Sequence, residues 1–126
     1  MRVYKVKGIA RFQRRERIAD TALARAVRAA EDGLIDADLG GGVVKQRIAR
    51  AGQGKRGGFR TVIAHRLGER AIFLLGFAKN ERDNIDDDEL DEVKVLARGY
   101  LALSGDQIAA LVAGDELMEV EYAEDK

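Results

Sequence analysis

Cationic side chains recur through the middle of this chain: Lys45, Arg47, Arg50, Lys55, Arg56, Arg60, Arg66, Lys79 and Arg82. They follow strand-like runs. Alternation along residues 43–50 places Lys45 and Arg47 on one face and Val44, Gln46 and Ile48 on the other. Arg60, on the next run, falls where it could share the face of Lys45 and Arg47, turned toward solvent. A sheet with so many fixed cations has unbalanced charge, and RNA phosphate is the obvious counter-charge. Cleavage of RNA through its own 2′-OH needs few parts. A base takes the hydroxyl proton, cations stabilise the phosphorane, and an acid protonates the leaving 5′ oxygen. A lysine crowded by other cations can be such a base. The planar fork of arginine suits phosphorane oxygens, although arginine is a poor acid. The same residues also fit a simpler purpose, binding phosphate or an acidic partner without chemistry.

Other constellations carry less. Gly52, Gly54 and Gly57 fit the spacing GxGxxG, but a strand follows them and Lys55 and Arg56 lie between. Residues 52–58 therefore read as a flexible loop with two cations. The run Asp83, Asp86, Asp87, Asp88 lacks the central glycine and ligand spacing of a calcium loop. It reads as a helix start, where carboxylates meet the positive end of the dipole. His65 is the single histidine and alternates with Phe59, Thr61 and Ile63, which suggests a satisfied, partly buried ring. With no cysteine and no second histidine, neither a metal triad nor a Ser-His hydrolase is supported, and no cofactor or metal is expected.

These side chains need a scaffold. The 126 residues suit one domain, 1–126, with 104–126 as a helical or tail extension. Period-two alternation marks a strand over residues 2–6. Residues 10–17 are crowded with Arg11, Arg14, Arg15 and Arg17. Ala22, Leu23, Ala26, Val27 and Ala30 follow helical spacing, with Asp20 as N-cap and Gly33 as stop. Residues 59–66 and 70–78 form a hairpin around Leu67-Gly68-Glu69, and the apolar run 71–77 reads as a strand covered on both faces. A helix follows on Leu90, Val93, Ala97, Tyr100 and Leu101, then a shorter one behind the capping box of Ser104 and Gln107. Residues 117–122 alternate as an edge strand or tail.

Net charge is zero but unevenly spread. Residues 1–70 hold 17 Lys and Arg against 7 Asp and Glu, and residues 71–126 hold 5 against 15. Either the basic half presents an interaction surface, or the acidic half folds back and neutralises it. No apolar run approaches the roughly 18 residues of a membrane span, and residues 1–7 lack an apolar signal core. The expected location is the cytoplasm.

Gly58-Phe59-Arg60, the hydrophobic strand after it, and Ala78-Lys79-Asn80-Glu81-Arg82 together resemble the RelE/ParE toxin superfamily, in particular its phage-derived and addiction-module RelE-like branch. The resemblance covers roughly residues 1–103 and is strongest from Lys45 to Ile85. It implies a small α+β fold: an antiparallel-rich twisted sheet of about four strands, N-terminal helix or helices on one face, and C-terminal helices. It implies the toxin of a type II toxin–antitoxin pair, a metal-independent endoribonuclease that cleaves mRNA on the ribosome and so inhibits translation. Its partners would be a helix-turn-helix antitoxin, the ribosome and mRNA. Arg60 matches the catalytic arginine of the family's Gly-aromatic-Arg pattern, Lys45 and Arg47 lie on the strand that supplies its basic residues, and Lys79 and Arg82 lie in its last basic segment. Arg50, Lys55, Arg56 and Arg66 are then RNA-binding candidates. The chain departs from the pattern in having no tyrosine from Asp83 to Glu89, and Asn80 where a second arginine is expected. The ParE branch shares the fold but targets gyrase, so a non-enzymatic inhibitor or a degenerate toxin acting as a binding module is the alternative.

Overall fold

The computed structural model describes residues 1–50, 54–82 and 84–122, with Arg50 and residues 54–57 described by backbone alone. The elements run β1 (Arg2–Val6), α1 (Lys7–Glu16), α2 (Asp20–Glu31), β2 (Ala37–Gly40), β3 (Val43–Arg50), β4 (Gly54–Arg66), β5 (Arg70–Ala78), α3 (Asp87–Ala102), α4 (Gly105–Ala113) and β6 (Leu117–Val120). They build an α+β fold on one mixed sheet in the order β2-β3-β4-β5-β1-β6. β1 runs parallel to β5, and the other neighbours are antiparallel. No helix among the described residues is long and apolar enough to cross a membrane.

The sheet has six strands rather than the expected four. The additions, β2 and β6, are its edges, each four residues long. At that length β2 barely displays a period, and an edge needs apolar residues on one side only. β6, offered by alternation as an edge strand or tail, is the edge strand: it pairs antiparallel with β1, Val3 opposite Val120. Another difference lies at residues 52–58, read as a loop: β4 starts at Gly54, whose register partner is Arg50.

The arginine-rich stretch folds as α1 because its apolar residues recur on one side. Ile9, Ala10, Phe12 and Gln13 are buried while Lys7, Arg11, Arg14 and Arg15 stay exposed. Phe12 lies over β5, where a Cβ on Gly76 would come within 2.6 Å of its ring. Its ring also meets Phe59 edge-to-face at 5.5 Å. Asp20 was expected to cap α2, but the N-cap is Ala19. The Asp20 carboxylate instead accepts from Lys5 Nζ at 2.9 Å and Gln13 Nε2 at 2.8 Å, tying β1 to the α1–α2 corner. Burial opposes its ionisation, yet the bonds from Gln13 and Lys5 outweigh that and hold its pKa below the usual aspartate value.

α1 and α2 cover one face of the sheet with Val3, Val44, Ile48, Phe59, Ile63 and Phe73. On the opposite face Val93, Ala97, Leu101 and Ile108 from α3 and α4 pack on Tyr4, Val43, Val62, Ala64 and Ile72. β5 is thus covered on both sides, as its unbroken apolar run suggests. Both C-terminal helices carry complete capping boxes, Asp86 with Glu89 and Ser104 with Gln107. The C-terminus of α3 is fixed by Arg70, whose Nη1 donates to the carbonyls of Tyr100 and Leu103, both at 2.8 Å.

Candidate functional site

The β3–β4 register sets Arg47 opposite Arg60 and Lys45 opposite Val62. Directly opposed residues point to the same side, so Lys45, Arg47 and Arg60 share the face covered further along by α3. Two arginines opposite each other repel. What offsets this is Asp36, placed at the start of the edge strand by its backbone N–H bonding to the Lys45 carbonyl at 3.1 Å. Its Oδ1 accepts from Arg47 Nε at 2.9 Å. Its Oδ2 lies 3.5 Å from Arg60 Nε and 3.7 Å from Lys45 Nζ, distances of ion contact rather than of good hydrogen bonds. One carboxylate therefore gathers three cations and leaves a net charge of +2 on the cluster.

Arg60 is the unusual member. A strand arginine facing solvent was expected, but the residue is 5% exposed. The reason is its neighbours: Arg60 stands between Arg47 on β3 and Phe77 on β5. Its Nη1 is buried and has no hydrogen-bond partner among the described residues. An unsatisfied buried donor costs about 1–3 kcal/mol, more when charged.

Arg82 closes the far side. Its guanidinium lies 4.7 Å above the Phe77 ring, the residue opposite Arg60. It is also paired with Glu89 in the first turn of α3. The bond from Arg82 holds the Glu89 pKa below the usual glutamate value, against a small opposing effect of desolvation. Lys79 is half-buried, and its backbone N–H bonds to the Gly58 carbonyl at 3.3 Å, extending the ladder beyond Phe59 and Ala78. Both residues thus stand at the Arg60 end of the sheet.

Arg66 does not. It sits six residues along the same strand, roughly 20 Å away at the usual rise, and pairs with Glu69 at 3.4 Å. The side chains of Arg50, Lys55 and Arg56 lie outside the described residues. His65 is accounted for by structure: its Nε2 is 2.9 Å from Glu31, which also accepts from the Gly68 backbone.

Sequence reasoning missed Asp36, the Phe77 support and the Glu89 pairing. Asp36 precedes a four-residue edge strand, and only the register shows that its side chain reaches across to β4. Glu89 was legible as part of a helix start, but not as the partner of Arg82.

The cluster sets three cations around one carboxylate, an arrangement chemically able to bind a phosphodiester and to stabilise charge that builds on it. A family model described as the RelE toxin of the RelE/RelB toxin–antitoxin system matches residues 1–120. No curated protein matches the chain.

Proposed function

The chain belongs to the RelE toxin family of toxin–antitoxin systems, and from that premise we propose that it is a ribosome-dependent mRNA endonuclease that inhibits translation. The observation that carries this reading is the buried guanidinium of Arg60, one of whose donors has no partner among the described residues, beside Lys45 and Arg47. Lys45 takes the 2′-OH proton, and the freed oxygen attacks the adjacent phosphorus. Arg47 and Arg60 stabilise the phosphorane, and the 5′ oxygen leaves as it takes a proton from solvent water, giving a 2′,3′-cyclic phosphate and a 5′-hydroxyl. Lys79 and Arg82 hold the flanking backbone. Arg50, Lys55 and Arg56 extend the track for RNA. The antitoxin partner that the family implies is a helix-turn-helix protein that covers the basic face, and the setting is the cytoplasm.

A second reading, a non-enzymatic inhibitor in the manner of the gyrase-directed branch, draws on two features. Arg82 is already paired with Glu89, and residues 83–89 contain no tyrosine. The two readings separate in one experiment. Induced expression without antitoxin should arrest growth, and primer extension should show new 5′ ends within translated codons. Arg60→Ala should remove those ends while ribosome affinity persists. Intact mRNA with inhibited gyrase, or an affinity that falls in step with toxicity, would favour the inhibitor.

A further inference from the structure

We propose that Lys45, Arg47 and Arg60 form one phosphate subsite that Asp36 occupies in the free protein, so that an incoming phosphate enters by displacing the Asp36 carboxylate. The Asp36 side chain is 14% exposed, and it meets all three cations with its two oxygens, as a phosphate's oxygens would. Its hold is uneven. Only the Arg47 contact is a hydrogen bond of good length; those to Arg60 and Lys45 are 3.5 and 3.7 Å. A carboxylate has two oxygens for three cationic groups, and Arg60 Nη1 is left without a partner among the described residues. A phosphodiester supplies further acceptor oxygens at a tetrahedral centre and can satisfy that donor.

The surroundings permit the exchange. Asp36 immediately precedes β2, an edge strand that pairs on one side only and whose register shifts between Asp38 and Gly40. A groove of about 600 Å³ adjoins it, between α2 and β3, with Arg25 and Arg47 among its walls. The displaced carboxylate therefore has space beside it and a cation to face. While in place, it offsets the repulsion of the opposed arginines and holds them converged before any ligand arrives.

This inference rests on the nuclease reading only for naming the natural phosphate as RNA, so its test uses inorganic phosphate. The purified full chain is titrated with phosphate by calorimetry at low salt. Asp36→Asn keeps the shape of the side chain and removes its charge. It should bind phosphate about tenfold tighter or more than the parent, the ratio that loss of one competing charge-assisted contact corresponds to. The gain should vanish in Asp36→Asn with Arg60→Ala, and Asp32→Asn, an exposed charge elsewhere, should not reproduce it. Equal affinity in a folded Asp36→Asn, or an equal gain in Asp32→Asn, would overturn the proposal. If Asp36→Asn does not fold, the parent chain decides. Saturating phosphate should shift the Arg47 Nε–H resonance as its bond to Asp36 breaks, and an unmoved resonance sinks the idea. Tighter phosphate binding by Asp36→Asn with uncut mRNA in cells would leave the displacement standing and remove the nuclease reading alone.

Discussion

Among the described residues the antiparallel ladders set two pairs of arginines directly opposite each other, and they are resolved in different ways. Arg66 opposes Arg70 beside the hairpin turn, and Arg47 opposes Arg60 at the other end. At the turn the two charges part company. Arg66 goes to Glu69, and Arg70 goes to two carbonyls at the C-terminus of α3. Each has its own partner, and Arg70 serves the fold. At the other end both arginines turn toward the same carboxylate, with Lys45 beside them, and one of them has a buried donor with no partner among the described residues. The residue type is the same in both places. Whether counter-charges are shared or separate is what distinguishes a site from a strut.

The sharpest way to break this comparison is to exchange activity against stability. Arg60→Ala should lower mRNA cleavage on the order of 10²–10³, the cost of losing one donor to a transition-state oxyanion, with growth arrest and primer extension as readouts. Lys45→Ala should match it, since the base is removed. Arg70→Ala should leave cleavage intact. An Arg60→Ala chain that stays fully toxic, or that is inactive because it no longer melts cooperatively, would erase the distinction.

Stability should show the reverse order. Arg70→Ala removes two charge-assisted bonds to helix carbonyls and should cost about 2 kcal/mol, read by urea unfolding. Arg60→Ala gives up packing but also removes an unsatisfied buried donor, so its loss should be smaller than that of Arg70→Ala. A larger loss would recast Arg60 as a structural residue. Arg66→Ala should change stability by no more than about 0.5 kcal/mol and leave toxicity alone, as exposed pairs usually do. A substantial fall in ribosome affinity for this variant would extend the RNA track to the turn.

The smallest effect expected is one of pH. Arg82 holds the Glu89 pKa below its ordinary value, so the pair is fully formed above the usual glutamate range. It is lost only as pH falls through that lowered value. The Arg82 Nε–H resonance should therefore stay constant from neutral pH down to that point. Movement near pH 6 would mean that Arg82 is governed by a different group.

Much of the scaffold was readable from local pattern. The hairpin of β4 and β5, the capping box of Ser104 with Gln107 and the sidedness of His65 follow from periods and turn residues that lie within a few positions of one another. Alternation also set Lys45 and Arg47 on one face. The rest depends on pairings that no local period encodes. Asp36 meets Arg60 from 24 positions earlier in the chain. β1 finds β5 in parallel, and β2 is too short to announce itself. The burial of Arg60 was misjudged for the same reason, because Phe77 and Arg47 flank it only once three strands are in register.

The position of β1 has a kinetic consequence. The strand lies between β5 and β6, so Arg2 must find Arg70 and Val3 must find Val120. Closing loops of that span costs more chain entropy than forming the β4–β5 hairpin, whose partners are a few residues apart. The hairpin, with Arg60 on it, forms early, and the joining of the chain's two ends sets the pace. Destabilising substitutions beside the hairpin turn and at Val3 or Val120 should then slow refolding, whereas those in contacts made after that step, such as Ile108 on the sheet, should act mainly on the rate of unfolding. Stopped-flow refolding of such variants measures this, and equal refolding rates throughout would place the slow step elsewhere.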